Sequence, residues 1–179
     1  MVLRKPTGER VEVDAAVLAT GPAVPAMASE LGIAIPDSTP ISVLVTTKPL
    51  QHDLTAVLNT RRVPLRPAPG GALAVDADWL SESVTQAPDG GYQVPDSVID
   101  ALLAEASRLL SGHPRLQVEW VGIGQKPIPG DGDPVLGRVD DVPGLSLAFT
   151  HSGATLGLIA GDCSRTKSSR VRLLLCWPT

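Results

Sequence analysis

The chain has 179 residues and a formal net charge of −4, with 43% apolar and only 3% aromatic residues. This is enough apolar material for one sizeable core, built mainly from Val, Leu, Ile and Ala. The acidic balance and scattered arginines argue against nucleic-acid binding. No stretch approaches the roughly 20 apolar residues of a membrane span, and the first residues do not resemble a signal peptide. We therefore expect a cytoplasmic protein without a membrane partner.

The residue types also bear on metal and disulfide chemistry. Cys163 and Cys176 are the two cysteines, and no cluster of Cys or His has the spacing of metal ligands. We expect neither a metal site nor a disulfide.

The 17 glycines and 17 prolines indicate many turns and short elements, which argues against a helical bundle.

In the first part of the chain, residues 2–13 alternate loosely around Pro6-Thr7-Gly8 and predict a short hairpin. Residues 14–20 predict a buried strand that ends in a tight turn at Gly21. Residues 23–31 predict a helix that Gly32 ends.

In the middle part, residues 41–47 are rich in β-branched residues and predict a strand. Residues 63–66 and 72–75 flank a Pro- and Gly-rich turn and predict a hairpin. A helix is predicted from Pro95, and its apolar stripe belongs to the core. This stripe consists of Val98, Ile99, Leu102, Leu103, Ala106, Leu109 and Leu110. Residues 115–121 predict a further strand.

The last part of the chain carries the most informative motifs. From Trp120 the sequence is WVGIGQKPIPGDGDPVLG, followed by an apolar run at 145–149 and then by THSGATL, which ends at Leu156. Residues 126–132 are dense in turn formers and predict a loop that presents side chains. Residues 145–149 predict a buried strand, and the glycine turn after it predicts the start of a helix.

These motifs, in this order, resemble the C-terminal half of the D-amino-acid oxidase (DAO) family of FAD-dependent oxidoreductases, which includes glycine oxidase and sarcosine oxidase. The resemblance covers roughly residues 10–161. It implies an α+β fold, in which a remnant of an α/β flavin domain accompanies an antiparallel substrate-domain sheet.

The family's opening motif, a G-x-G-x-x-G turn that binds the FAD pyrophosphate, is not found in this sequence. We therefore expect a C-terminal portion of such an enzyme, a partial FAD/NAD(P)-binding-type fold without its N-terminal βαβ unit. The predicted organisation assigns residues 1–36 to the FAD-binding domain, 37–118 to the substrate-binding domain, 119–161 again to the FAD-binding domain, and 162–179 to an aberrant basic tail.

Residues 162–179 differ sharply in composition from the predicted helix before them, with four basic residues against Asp162. Given G/C-rich codons and one extra base in the Asp162 codon, the tail can be back-translated to read ELLAYEIVTGAPPALLAH. That reading continues the helix with apolar residues at helical spacing. We interpret the tail as a frameshifted translation. The alternative is a genuine basic tail anchored by residues 173–177.

The resemblance implies non-covalent FAD, contacted through backbone N–H groups at a helix start, where the helix dipole is positive. The implied cofactor-binding residues are Gly21, His151, Ser152, Gly153, Ala154, Thr155 and Leu156. The alternatives are a Gly-Pro turn at Gly21 and a simple helix cap after His151. For His151 itself, a turn residue with a satisfied ring is as good an interpretation as direct contact.

Lys126 is the implied substrate-binding residue. It stands where the family usually has Arg, and it supplies a compact charge instead of a planar fork for a carboxylate. A solvated loop lysine is the alternative. Asp131 and Asp133 are expected to organise the turn. For Trp120, core packing is preferred over packing near the site. His52 and His113 are interpreted as loop residues.

The sequence therefore predicts a fragment of an FAD-dependent oxidoreductase that oxidises an amino acid or related amine by hydride transfer to flavin. We expect the fragment alone to bind FAD poorly, to be inactive, and to self-associate through an exposed apolar seam. The alternative is a noncatalytic truncated remnant or interaction module without bound cofactor.

Overall fold

The computed structural model describes residues 2–4 and 7–158, so the frameshift interpretation of residues 162–179 lies outside the described residues. In chain order the elements are β1 (Val2–Arg4), β2 (Arg10–Glu12), β3 (Ala16–Leu18), α1 (Val24–Ser29), β4 (Ile41–Thr47), β5 (Leu65–Ala68), β6 (Ala72–Asp76), β7 (Thr85–Gln86), β8 (Tyr92–Gln93), α2 (Asp96–Ser107), β9 (Val118–Gln125), β10 (Val135–Arg138) and β11 (Leu145–Phe149). Residues 153–158 are also helical. The predicted mixed α+β class is confirmed.

The chain divides into two compact units. Among the described residues, those up to Thr39 together with those from Lys126 onward form the first unit, and residues 40–125 form the second. The domain boundaries predicted after residues 36 and 118 stay a prediction. The strand β9 pairs with β4 as far as Gln125, and this pairing keeps residues 119–125 in the second unit.

The first unit contains a hairpin of β1 and β2 and a three-stranded sheet in the order β10-β11-β3. Within this sheet β11 runs parallel to β3 and antiparallel to β10. Its main core consists of Leu18, Val24, Ala28, Leu145, Leu147 and Phe149. Val24 and Phe149 are completely buried, so α1 is held against the sheet by its apolar face.

The second unit is an antiparallel sheet in the order β5-β6-β4-β9, accompanied by α2 and the small β7–β8 hairpin. The predicted strand at 41–47, the hairpin around the Pro- and Gly-rich turn, and the long helix are confirmed. The helix ends at Ser107, earlier than its apolar repeat predicts. Residues after Ser107 form turns, so Leu109 is 40% exposed while Leu110 remains buried.

A surface ion pair joins α2 to the loop before β5. The Arg62 guanidinium donates from Nε to Glu105 Oε2 (2.9 Å) and from Nη2 to Oε1 (2.7 Å). Trp79 donates its indole N–H to the Arg62 carbonyl (3.1 Å), and the guanidinium lies 5.6 Å from the indole centroid. The hydrogen bond from Arg62 lowers the pKa of Glu105.

None of the helices in the described part of the chain is long and apolar enough to cross a membrane.

Candidate functional site

The first unit has one sheet edge at which its predicted cofactor segments meet. Because β3 and β11 are parallel neighbours, with Leu147 opposite Leu18, their carboxyl ends point to the same edge. β10 is antiparallel to β11 and starts at this edge, with Val135 opposite Phe149. We call this the carboxyl edge. In sheets with parallel strands, ligands bind at this end of the strands.

Gly21 lies at the carboxyl edge, three residues after the end of β3. It is buried and has a φ of +60°, a left-handed conformation that glycine adopts without a side-chain clash. A short 3-10 turn, Gly21–Ala23, leads from here into α1. The sequence A-T-G therefore forms a tight strand-to-helix turn, as predicted. Its role toward a cofactor stays a prediction.

The turn after β11 lies at the same edge. Thr150 is buried, and its Oγ1 accepts a hydrogen bond from the Ser152 N–H (3.1 Å). The Leu156 N–H donates to the Ser152 carbonyl (2.9 Å), so Ser152 is the residue that begins the helical turn at 153–158. The N–H groups of the first helical residues have no acceptor within a helix. They are therefore the available donors of this turn.

His151 and Ser152 contact each other within this turn. The His151 ring Nε2 lies 3.2 Å from Ser152 Oγ, and His151 is exposed. Ala154 and Thr155 are also exposed, whereas Gly153 and Leu156 are partly buried. The ring of His151 thus has a local partner, in keeping with the turn interpretation. That contact does not conflict with direct cofactor contact, and both interpretations stand.

The loop that begins with Lys126 is fastened to residues 36–39. The Gly130 N–H donates to the Pro36 carbonyl and the Ser38 N–H to the Ile128 carbonyl, both at 2.9 Å. Asp37 and Pro129 form an antiparallel bridge between these hydrogen bonds. We call the paired segments 36–39 and 128–130 the loop anchor.

Side chains reinforce the loop anchor. The Ile128 N–H donates to Thr39 Oγ1 (3.1 Å), and Asp37 Oδ1 accepts both the Thr39 N–H (3.0 Å) and the Thr39 hydroxyl. Asp37 and Thr39 therefore position the backbone two residues after Lys126. Sequence analysis missed both, although Asp-Ser-Thr after proline is a recognisable signal for a side-chain-capped turn.

Lys126 is partly buried at the start of this loop, and the other end of the loop enters β10 at the carboxyl edge. Asp131 Oδ1 accepts the Asp133 N–H (3.0 Å), so Asp131 organises the turn as predicted. The assignment of Lys126 to the substrate stays a prediction.

No group of His, Cys, Asp and Glu in the described ranges could hold a metal ion.

Trp120 differs from its prediction. Its side chain is 57% exposed and is therefore not a core residue. A Cβ built on Gly122 would lie 2.2 Å from Trp120 Cη2 and 2.7 Å from Cζ3, so the indole lies directly over Gly122. Gly122, two residues further along β9, has no side chain and therefore leaves space for the Trp120 ring.

The two other histidines lie outside helices and strands, as predicted. The His113 ring Nδ1 is 3.4 Å from the Ser107 carbonyl oxygen. Both ring nitrogens of His52 are buried, and neither has a hydrogen-bond partner among the described residues. Burying these two nitrogens without hydrogen bonds costs free energy and so lowers the stability of the second unit.

A comparison with known protein families, which covers most of the chain, identifies the class of protein. The family model described as FAD dependent oxidoreductase (DAO) matches residues 2–164. The chain therefore belongs to the FAD-dependent oxidoreductase (DAO) family, and the predicted resemblance is confirmed. A search of the curated proteins gave no match.

Solved structures with the same fold include enzymes of known activity. Glycine oxidase from Geobacillus kaustophilus matches with a TM-score of 0.71 at 19% identity, over 94% of this chain and 45% of its own. Iminodiacetate oxidase from Chelativorans sp. BNC1 matches with 0.70 at 18%, over 90% and 44%. Fructosamine oxidase from Aspergillus fumigatus matches with 0.61 at 15%, over 93% and 45%. The chain spans less than half the length of these structures.

Proposed function

We propose that this chain supplies the flavin-ring and substrate-carboxylate contacts of an FAD-dependent oxidoreductase that oxidises an amino acid or related amine. The observation that carries this proposal is the carboxyl edge. There the register of parallel strands brings Gly21 and the turn at residues 151–156 to one side of the same sheet. Membership of the DAO family and the substrates named for glycine oxidase and iminodiacetate oxidase support the substrate class.

The residues at this edge fit a flavin ring. Gly21 has no side chain to keep a flat ring away from the backbone, and its φ lies in the left-handed region that glycine adopts readily. Ala154 and Thr155 are exposed residues, and their N–H groups are donors at the positive end of a helical turn. Such donors stabilise negative charge on a ring that becomes reduced. When bound, FAD supplies the chemistry by accepting a hydride from the substrate's α-carbon.

Lys126 is proposed to attract the substrate carboxylate, while the loop anchor fixes the backbone beside it. Its ammonium group provides charge without the bidentate geometry of arginine, so it restrains the carboxylate less in orientation. Asp131 accepts a hydrogen bond within the turn and is not assigned to proton transfer.

We also propose that the chain self-associates, since large apolar side chains such as Leu31 and Val57 are 51% and 65% exposed.

The test compares two flavins. If the chain holds the ring but lacks a pyrophosphate turn, FAD and FMN bind with similar, weak affinity, because the additional adenosine monophosphate of FAD has no partner. Titration followed by flavin fluorescence anisotropy measures both constants. Tight stoichiometric binding of FAD alone, with substrate-dependent bleaching, contradicts the expected weak binding. Absence of any flavin binding favours the noncatalytic alternative.

Ala154→Pro tests the backbone donors. Proline is tolerated in the first turn of a helix, so this change removes one N–H without breaking the helix. We expect FMN affinity to fall about 2- to 10-fold, the loss of one hydrogen bond. Ala154→Ser keeps the N–H and is the matched control. Equal FMN affinity in the two variants rules out a flavin contact through this amide.

A further inference from the structure

The four-stranded sheet of the second unit has two edges, formed by β5 and β9. The β5 edge is protected. Leu65 and Leu58 donate their N–H groups to each other's carbonyls (2.9 and 2.8 Å), so the backbone groups of Leu65 point away from β6. Alternation along the strand points those of Pro67 the same way, and proline has no N–H to offer. Proline on an edge strand hinders pairing with another chain.

The same alternation shows which backbone groups of β9 face outward. Leu65 lies opposite Val75 but points away from it, so Val75 points to β4, where it lies opposite Val45. Val45 therefore points toward β6 and away from β9. Its neighbour in β9, Val121, must then point its N–H and C=O to the outer edge of the sheet. Ile123, two residues further along β9, does the same.

This outer edge of β9 is open and unprotected. Among the described residues, the outward backbone groups of Val121 and Ile123 make no hydrogen bond. The β7–β8 hairpin lies near β9 but forms a separate two-stranded sheet. Residues 120–124 include no proline and no charged side chain, the features that commonly protect an edge. With eight residues, β9 is also longer than the edge strands β3 and β10, which have three and four.

The core-facing side chains of β9 are incompletely covered as well. Val121 and Ile123 pack against the core of the second unit but are only partly buried. Their neighbours in β4, Val45 and Val43, are completely buried. The difference follows from position, because β9 has a strand on one side only. A further strand beside β9 would remove this apolar surface from water.

The sequence of β9 is complementary to itself in one antiparallel register. With a two-fold axis at Gly122, Val121 of each copy lies opposite Ile123 of the other, and the two residues exchange both backbone hydrogen bonds. Their apolar side chains meet on the core face. On the other face, Trp120 lies opposite Gly124, where nothing stands within 4 Å of an added Cβ. The glycine therefore leaves room for the indole of the other copy.

The neighbouring registers fit less well. Outward backbone groups must meet outward groups, so the two-fold axis passes through a residue and not between two residues. An axis at Ile123 would place Val121 opposite the polar Gln125. An axis at Val121 would place Ile123 opposite the charged Glu119. The axis at Gly122 therefore matches apolar with apolar side chains best.

We propose that two copies of the chain dimerise by antiparallel pairing of their β9 strands around Gly122, so that the sheet of the second unit continues from one copy into the other. This inference rests on the self-association proposed above and assigns it to a defined surface. A contact through one pair of strands belongs to the small interfaces, below about 1,200 Å² in total, which are typical of weak complexes. The dimer therefore forms reversibly, at micromolar concentrations.

Sedimentation velocity of the full chain over a range of micromolar concentrations, without flavin, measures this equilibrium. Ile123→Pro removes an outward N–H that pairing with β4 does not use, and it is expected to weaken the dimer about tenfold or more. Ile123→Val keeps the N–H and an apolar side chain and is the matched control, with affinity within about threefold of the parent. Far-ultraviolet circular dichroism checks that both variants retain the fold.

Disulfide formation tests the register and does not depend on the proline variant. In a background of Cys163→Ser and Cys176→Ser, copies with Trp120→Cys are mixed with copies with Gly124→Cys under oxidising conditions. These two positions face each other as a pair without backbone hydrogen bonds, with Cα atoms about 4.5 Å apart, within the range of a disulfide. The mixture is expected to crosslink. Either variant alone is not, because its two cysteines lie about 13 Å apart along the strands.

The outcomes separate the inference from the proposals above. A monomer at every concentration overturns it together with the self-association on which it rests. A dimer that withstands Ile123→Pro, or a mixture that does not crosslink, overturns the β9 contact and leaves association through side chains such as Leu31 and Val57. Open-ended aggregates also contradict it, because a two-fold contact closes with two copies. The flavin titration is unaffected, since it depends on residues of the first unit.

Discussion

Replacing Gly130 by alanine tests how the loop anchor holds the loop that carries Lys126. An added Cβ would lie 2.6 Å from Pro36 Cβ and 3.2 Å from the Pro36 carbonyl carbon, whereas ordinary contact begins at 3.4 Å. The two segments must therefore separate by the difference, about 0.8 Å, because the proline ring cannot rotate away. That movement stretches the 2.9 Å hydrogen bond from the Gly130 N–H to the Pro36 carbonyl beyond its effective range.

The cost follows from overpacking and from the weakened hydrogen bond. Overpacking of this kind costs about 1–3 kcal/mol, and the lost hydrogen bond adds about 0.5–1.5 kcal/mol. Since the loop is partly exposed, we expect local opening and not global unfolding. Together these give a local cost of about 1.5–4.5 kcal/mol, which accelerates amide exchange roughly 10- to 2,000-fold.

Hydrogen exchange followed by mass spectrometry measures this effect in peptides that span residues 36–39 and 126–134. Gly124→Ala is the control, because its Cβ enters open space and its φ is not left-handed. The reasoning is refuted if Gly130→Ala exchanges like the control in both peptides. Acceleration confined to peptides of the second unit also contradicts it.

Three further predictions concern single contacts. Thr39→Val removes the acceptor for the Ile128 N–H (3.1 Å), so exchange at that amide should rise, while Thr39→Ser should retain protection. His52→Leu removes two buried unsatisfied nitrogens, and urea denaturation should show a stability equal to or above that of the parent. Arg62 lowers the pKa of Glu105, so its contribution is present above the ordinary pKa and is lost as pH falls through the lowered pKa. Thermal melts of Glu105→Gln should lack this acid-side loss, and an identical pH profile in parent and variant would contradict the assignment.

Strong local patterns made much of the second unit predictable. The β-branched run at 41–47 and the apolar repeat from Val98 to Leu110 identified β4 and α2, because each pattern matches the period of its element. The strand β10 was missed, since four residues that include Gly137 carry little alternation. Its partner across the sheet, β11, was identified by its continuous apolar run.

The candidate site was predictable where its residues are adjacent in sequence. The turn at residues 151–156 and the A-T-G turn before α1 were found from glycine and helix-start signals. The loop anchor joins residues that are about 90 positions apart, as with Thr39 and Ile128, and single-sequence patterns do not contain such pairings. The strand register that pairs Thr46 with Trp120 likewise follows only from the folded sheet.

Mapping of flavin contacts by nuclear magnetic resonance tests the central claim most directly. The ¹⁵N-labelled chain is titrated with FMN, and the amide shifts are assigned along the sequence. The carboxyl edge predicts saturable shifts at Gly21 and at the amides of residues 152–155, with the amides of α2 unchanged. Shifts spread over the second unit, with the amides of Gly21 and residues 152–155 unmoved, would contradict a flavin site at the carboxyl edge.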